Sequence, residues 1–204
     1  TPVTAVRPNP AGGPPRVVVM TMVRDEGPML ERWVRHYAAQ VGAENLVVLD
    51  DGSTDGSTDD LPCTVHRLPP MPGGRDFEAA RMELVSGLAR GLLAVYDVVV
   101  LVDGDEFLLA DPDRYDGLLD LLADRGHHEV LAPVALNVVH HLDVEGRLDP
   151  DQPVLGQRRF AKFVPLMCKP ALKRVPAPWR FATHGIMAPF AVDPDLFLVH
   201  LKFF

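Results

Sequence analysis

The sequence predicts an α/β fold in which a mainly parallel, Rossmann-like sheet carries helices on both faces. Three uninterrupted apolar runs, at 17–20, 46–49 and 98–102, are typical of strands covered on both sides. Helical apolar patterns lie between these runs, and such alternation favours parallel strands joined by helical crossovers. The chain has 204 residues, of which 47% are hydrophobic and 24% charged, which suits one globular domain with its own core.

The elements of the first half follow from the spacing of apolar residues. After the first strand, Asp25-Glu26-Gly27-Pro28 interrupts the apolar pattern. A helical face follows, formed by Leu30, Trp33, Val34, Tyr37 and Val41. The polar loop 50–60 follows the second strand. The remaining predicted elements of this half are a strand at 64–68, a helix at 75–93 and the fourth strand at 98–102.

The second half is predicted less completely. A helix at 115–123 and an extended segment at 130–139 continue the pattern, but proline and charge interrupt it from Asp143 onward, and we predict no element there. Residues 1–15 are rich in proline and glycine and read as a disordered tail. Residues 16–204 are therefore expected to form the single domain.

Composition excludes several classes of protein. The formal net charge of −8 argues against a nucleic-acid partner. No apolar run approaches the ~20 residues of a membrane-spanning helix, so no transmembrane segment is expected. Cys63 and Cys168 are the only cysteines, which excludes a disulfide scaffold and a cysteine zinc site. Free thiols suit a reducing compartment, and we expect a cytoplasmic protein.

Three polar clusters follow predicted strands at the point where each strand ends. They are Arg24-Asp25-Glu26, Asp50-Asp51 and Asp103-Gly104-Asp105. Ligands of open α/β sheets bind outside the carboxyl ends of the strands, where these clusters would converge. The sequence therefore predicts one binding site at this edge.

The spacing of Asp103 and Asp105 suggests a divalent cation. Residues two apart on an extended chain point to the same side, and two carboxylates held that close repel each other unless a cation joins them. Oxygen ligands favour Mg²⁺ or Mn²⁺. Glu106 would point away from the cation and serve as a supporting or capping group. A solvated acidic turn is the alternative. The loop that begins at Asp51 does not fit a calcium-binding EF-hand, because Pro62 stands where a bidentate Glu is needed; it is either a ligand loop or a plain turn.

These motifs resemble a known enzyme family. Residues 17–60 look like the nucleotide-binding start of family 2 glycosyltransferases, which have the GT-A fold, and residues 97–108 resemble the metal-binding strand end of that family. Two sequence motifs are most similar to those of a branch of the family that includes family 92-like enzymes. They are Arg24-Asp25-Glu26 and Asp105-Glu106-Phe107-Leu108. The resemblance covers residues 16–110, which would be the nucleotide-binding half, with 111–204 as the acceptor-binding half.

The resemblance implies roles for the residues of the first half. Asp51, with Asp50 as its alternate, would contact the uracil or ribose of a nucleotide sugar. Arg24 and Glu26 would line the same pocket, and Arg81 would approach the nucleotide or its phosphates.

The resemblance also implies a metal centre. Asp103 and Asp105 would hold Mn²⁺ or Mg²⁺ against the diphosphate. A C-terminal histidine often adds a metal ligand or phosphate contact in this family, and His184 and His200 are the candidates. The tail differs from that of the branch, because Leu201 stands where an aromatic residue is usual.

The function implied is metal-dependent, inverting transfer of a sugar from a nucleotide-sugar donor, UDP-linked in our expectation, to a hydroxyl of a carbohydrate or natural-product acceptor. Such a reaction needs a general base. Asp143, Glu145 and His140 are candidates, and residues 169–174 resemble a loop near the acceptor.

Two other functions stay open. A phosphohydrolase of the haloacid dehalogenase type also has Asp-x-Asp after an apolar strand, with the first Asp as nucleophile. It would leave residues 17–60 unexplained. A non-catalytic nucleotide-sugar-binding protein is the other, because no general base stands out.

Overall fold

The structure is a computed structural model that describes residues 13–69, 71, 75–149 and 152–203, so nearly all of the predicted tail lies outside the described residues. The strands are β1 (Val17–Val23), β2 (Leu46–Asp50), β3 (Thr64–Arg67), β4 (Val98–Leu101), β5 (Glu106–Ala110), β6 (Val130–Val139), β7 (Phe160–Phe163), β8 (Leu172–Lys173), β9 (Trp179–Arg180), β10 (Gly185–Ile186) and β11 (Ala191–Phe203). The helices are α1 (Gly27–Val41), α2 (Arg75–Leu92), α3 (Leu118–Asp124) and α4 (Val154–Gln157).

A nine-stranded sheet, in the part of the chain that the structure describes, joins both halves of the sequence. Its order is β3-β2-β1-β4-β8-β6-β11-β5, and β7 pairs with β6. The first four strands are parallel to one another, β8 runs against β4 and β6, and β11 is parallel to β6. Six of the nine strands therefore share one direction, and only β5, β7 and β8 oppose it. The predicted α/β fold with a mainly parallel sheet is confirmed.

Side chains of β1 divide between two hydrophobic clusters. Val17 and Val19 pack in the cluster that contains the buried face of α1, whereas Val18 and Met20 pack with α2 and Trp179. Successive residues of a strand point to opposite faces of a sheet, so both faces of β1 are covered. This explains why the strand reads as an uninterrupted apolar run.

The edge strand β5 was not expected from the sequence. It runs antiparallel to β11, with Glu106 paired in register with His200. The Tyr37 hydroxyl donates to the Glu106 carbonyl oxygen at 3.0 Å and accepts from the Leu108 N–H at 2.9 Å. Helix α1 thus occupies the exposed side of β5, which protects the edge from pairing with another chain.

Several boundaries differ from the predictions. Strand β4 ends at Leu101, and Gly104 and Asp105 lie in a turn rather than on an extended strand. Helix α3 begins at Leu118, not at residue 115. Beyond residue 143 the described chain still contributes β7, β8 and β11 to the large sheet. None of the helices described here is long and apolar enough to cross a membrane.

Candidate functional site

The three polar clusters lie at one edge of the sheet. Strands β2, β1 and β4 are adjacent and parallel, so their carboxyl ends share an edge. The Asp51 N–H donates to the Val23 carbonyl oxygen at 2.9 Å, which ties the end of β2 to the end of β1. Topology therefore places the clusters together although they are far apart in sequence.

Arg24 holds Asp51 at this edge. Its Nη2 forms an ion pair with Asp51 Oδ2, and its Nε donates to the Asp51 carbonyl oxygen at 2.8 Å. The other carboxylate oxygen, Oδ1, accepts from the Met71 N–H at 2.9 Å. Asp51 is buried, whereas half of the Arg24 side chain remains exposed. The pair thus presents a guanidinium to solvent above a fixed carboxylate.

Asp50 anchors the loop that follows β2. Its Oδ1 accepts from the Ser53 N–H at 2.7 Å and its Oδ2 from the Thr58 hydroxyl at 2.8 Å. Burial acts to raise the pKa of Asp50, but these hydrogen bonds and nearby Arg67 outweigh it and hold the pKa below its ordinary value. Asp50 therefore shapes the loop, and Asp51 is the member of the pair that contacts Arg24.

Asp25 and Glu26 join the first loop to the other two clusters. Asp25 Oδ1 accepts from the backbone N–H groups of Thr54, at 2.6 Å, and Asp55, at 3.2 Å. Glu26 lies against the turn at Gly104, where an added Cβ would be 3.3 Å from Val23 Cγ1 and 3.5 Å from Glu26 Cδ. Any larger residue at 104 would press on both, so glycine allows the two loops to approach.

Two cations hold Asp103. Arg81 Nη2 lies 2.5 Å from Asp103 Oδ1, and Lys169 Nζ lies 3.0 Å from Oδ2. Burial acts to raise the pKa of Asp103, but Lys169 and Arg81 outweigh it, so the pKa lies below its ordinary value. Asp103 is therefore a carboxylate whose two oxygens are both engaged by cations.

Glu106 and Lys169 form a buried ion pair beneath Asp103. Lys169 Nζ lies 2.7 Å from Glu106 Oε1, and the side chains are 3% and 1% exposed, respectively. Glu106 Oε2 accepts from the Asp103 N–H at 2.9 Å. Glu106 thus caps the backbone of Asp103, as the sequence suggested, but it does not point away from that residue, because the chain turns at residues 104–105 and β5 begins at Glu106. The sequence had placed Lys169 only in a loop near the acceptor.

Asp105 has a different partner from Asp103. His200 Nε2 lies 3.0 Å from Asp105 Oδ2, and His200 Nδ1 lies 2.8 Å from Asn137 Oδ1. These contacts link the turn after β4 to β11 and β6. Asn137 orients the imidazole from the side away from Asp105, an arrangement common for metal-binding histidines.

The other predicted residues lie in the second half. His184 is exposed, and its Nδ1 lies 2.8 Å from the Leu166 carbonyl oxygen. Asp143 is exposed in the turn after β6. Glu145 accepts two backbone hydrogen bonds, from the N–H groups of His141 at 2.8 Å and Arg159 at 2.7 Å, and these lower its pKa. Their catalytic and metal-binding roles stay predictions.

Asp105 and His200 fit a divalent cation that is also bound by a ligand. Two metal ligands at about 2.0–2.2 Å from an ion lie about 3 Å apart, as the two facing atoms do. Among the described residues, no group of three or more His, Cys, Asp or Glu side chains could hold a metal ion. Mg²⁺ is commonly bound through one or two carboxylates together with substrate phosphates. Asp105 could supply such a carboxylate and His200 a nitrogen ligand, and their role as metal ligands stays a prediction.

The chain shows similarity to known proteins among solved structures. No model of a protein family matches the chain, and no curated protein matches it. Among solved structures, the chain is similar to the mannosyltransferase PcManGT from Pyrobaculum calidifontis in complex with GDP-Man and Mn²⁺, with 21% identity and a TM-score of 0.38. The match covers 66% of this chain and 39% of that protein. Structural similarity at this level does not indicate an activity.

Proposed function

We propose that the protein is a glycosyltransferase that transfers a sugar from a nucleotide-sugar donor to a hydroxyl acceptor with the help of Mn²⁺ or Mg²⁺. The observation that carries the proposal is the pairing of Asp105 with His200 at the same sheet edge as the Arg24–Asp51 and Arg81–Asp103 pairs. The resemblance of residues 17–60 and 97–108 to family 2 enzymes supports it. UDP is the expected nucleotide, and inversion the expected stereochemistry.

The charges at the edge favour a metal-assisted diphosphate. The cations Arg24, Arg81 and Lys169 are each paired with a carboxylate. Asp105 and Glu26 add further negative charge. A diphosphate anion entering here meets an acidic surface unless a divalent cation offsets the repulsion.

In the proposed reaction the acceptor oxygen forms a bond to the anomeric carbon as the bond from that carbon to the diphosphate breaks. The electron pair leaves on the diphosphate, and the hydroxyl proton passes to a base. A bound divalent cation supplies Lewis-acid stabilisation of the leaving group. In this proposal Arg81, which pairs with Asp103, would share its charge with a phosphate, and Arg24 and Asp51 would hold the nucleoside.

The base stays a prediction, with Asp143 and Glu145 as candidates. Asp143 is exposed, which leaves it accessible to an acceptor, whereas both oxygens of Glu145 already accept backbone hydrogen bonds. A carboxylate engaged in this way is a weaker base, because those bonds favour its ionised form. Asp143→Asn and Glu145→Gln are therefore expected to differ, with the larger loss of transfer rate for Asp143→Asn.

Calorimetry of nucleotide binding tests the proposal. UDP, with GDP in a parallel titration, is expected to bind at least tenfold more tightly with Mn²⁺ than with a chelator. Asp105→Asn and His200→Ala should remove that gain, while Asp113→Asn, which alters an exposed carboxylate outside the site, should keep it. A nucleotide affinity that changes neither on addition of Mn²⁺ nor in the Asp105→Asn and His200→Ala variants would contradict the metal site.

Turnover separates the proposal from its alternatives. A screen of nucleotide sugars for Mn²⁺-dependent release of the nucleoside diphosphate should find at least one donor. Binding without turnover of any donor would indicate a non-catalytic binding protein. Hydrolysis of an aryl phosphate that is lost in Asp103→Asn would indicate a phosphohydrolase instead.

A further inference from the structure

A cavity of about 380 Å³ lies between helix α1, strands β5 and β11 and helix α4. Six apolar side chains line it, namely Phe107 and Leu109 of β5, Val199 and Leu201 of β11, and Val154 and Leu155 of α4. Its volume is within the range of about 300–1,000 Å³ that is usual for sites of small organic ligands. The four elements therefore enclose a space large enough for such a ligand.

Strand alternation separates this cavity from the candidate site. Phe107 and Leu109 are two residues apart on β5, as are Val199 and Leu201 on β11, so each pair points to one face of the sheet. Phe107 is in register with Val199 on the neighbouring strand. His200 lies between Val199 and Leu201 and points to the opposite face, where the candidate site lies. The cavity and the candidate site thus use opposite faces of the same strand.

The interior of the cavity is apolar. Phe107 is 7% exposed and Val199 and Leu201 are each 6% exposed, so these side chains form its floor. Leu155 is 49% exposed and lies near solvent. Water forms few hydrogen bonds in an apolar cavity, and such cavities bind apolar ligands. The interior therefore suits a hydrocarbon group.

His36 completes one wall without adding charge. Its Nε2 lies 2.9 Å from the Leu108 carbonyl oxygen, and its ring packs edge-on against Phe107 with 5.3 Å between the ring centroids. Burial lowers the pKa of His36, so the imidazole is neutral at pH 7. The charge around the cavity therefore comes from other residues.

Two arginines line the cavity from α1. Arg32 and Arg35 are three residues apart, which places them on the same side of the helix. Arg35 is exposed and Arg32 half-buried. None of the described residues that line the cavity is Asp or Glu. On a chain with a formal net charge of −8, this apolar cavity has cationic side chains and is complementary to an anion.

We propose that the cavity binds an amphiphilic carboxylate, a ligand with a hydrocarbon chain of medium length and one carboxylate head group. The chain would lie against β5 and β11, and the head group would lie at Arg32 and Arg35. A guanidinium group binds a carboxylate through two parallel hydrogen bonds, which selects this head group over an uncharged one. The proposal concerns a second site and does not depend on the glycosyltransferase activity.

Calorimetry with three probes below their micelle concentrations tests the proposal. Decanoate should bind about fifteenfold more tightly than octanoate, because each further methylene that is buried adds to affinity. Decanoate should bind about threefold to fivefold more tightly than decanol, which has the same chain without the charge. The first ratio measures burial of the chain, and the second measures recognition of the head group.

Two variants assign binding to this cavity. Arg35→Gln should lower the affinity for decanoate about threefold to fivefold and leave that for decanol unchanged. Leu109→Trp fills the cavity and should lower the affinity for both probes at least tenfold. Arg90→Gln and Val95→Trp make matched changes at exposed residues that do not line the cavity, and should bind like the unaltered protein.

Circular dichroism and urea denaturation verify that each variant is folded. Absence of decanoate binding, equal affinities for decanoate and decanol, or undiminished binding in Leu109→Trp would overturn the proposal. A dimer seen by sedimentation equilibrium and removed by Leu155→Gln, without decanoate binding, would instead assign the cavity to contact between copies of the chain.

Discussion

Lys173 should make the stability of this protein unusually dependent on alkaline pH. Its side chain is among the most deeply buried in the chain, and its Nζ donates to the Ala177 carbonyl oxygen at 2.8 Å. The ammonium also lies 3.6 Å from the centroid of the Trp179 ring. Among the described residues no carboxylate forms an ion pair with Lys173. Burial without an anionic partner lowers its pKa to about 7.

The magnitude follows from proton linkage. An unfolded lysine has a pKa of about 10.4, so between about pH 7 and pH 10 the unfolded chain binds a proton that the folded protein does not. Stability therefore rises with pH in this window, by about 1.4 kcal/mol per pH unit and about 4–5 kcal/mol in total. Below pH 7 both states are protonated, and the full penalty remains.

Lys173→Met removes this penalty with little change in side-chain volume. The variant also loses the hydrogen bond to Ala177, which is worth about 1 kcal/mol. At pH 6 we therefore expect Lys173→Met to be more stable than the unaltered protein by about 3–4 kcal/mol, and the two to converge near pH 10. Urea denaturation at pH 6, 8 and 10 measures the difference, and Lys162→Met, at an exposed lysine, serves as control. A difference between the proteins that does not change with pH would refute the reasoning.

Three further substitutions test particular contacts, each by denaturation with urea. Lys169→Met should lower the free energy of unfolding by about 3–5 kcal/mol because it leaves buried Glu106 unpaired. Adding Glu106→Gln to the same chain should restore part of the loss. If the double variant is no more stable than Lys169→Met alone, loss of the ion pair is not the cause. Tyr37→Phe should cost about 1–3 kcal/mol, since the hydroxyl satisfies backbone groups of both Glu106 and Leu108, and an unchanged stability would mean that water replaces it. Ala182 has a φ angle of 51° in the turn after β9. Ala182→Gly should raise stability by about 0.5–1 kcal/mol by relieving this left-handed conformation, and a loss of stability would argue against strain at that turn.

The first half of the fold could be predicted because its signals are local. Strands β1, β2 and β4 are covered on both faces, so nearly every residue is apolar and the runs are visible in the sequence. Helix α1 shows the same clarity, because Leu30, Trp33, Val34 and Tyr37 form its buried face at helical spacing. The convergence of polar residues at the strand ends then follows from topology alone.

The second half could not be predicted because its elements depend on distant partners. Strand β7 is exposed at all four residues, and β8 has only two residues between β4 and β6. Neither has a periodicity that distinguishes it from a loop. Strand β11 contains Asp193 and Asp195, which are buried because Arg125 binds both, at 2.7 Å in each case. Charged residues are normally expected outside the core, so their presence hides this strand in the sequence.

In the candidate site, too, sequence spacing predicts which residues lie near one another, but contacts with residues distant in the chain decide their partners. The spacing of Asp103 and Asp105 would place both carboxylates on one side of a strand, yet the chain turns between them and gives them different partners. Asp103 faces two cations, Arg81 and Lys169, whereas Asp105 faces the imidazole of His200. A carboxylate already neutralised by two cations gains less from a metal ion than one facing an imidazole. Under the proposed function, Asp105 would therefore bind the cation and Asp103 would position Arg81, a division of roles that depends on residues up to 95 positions away in the chain.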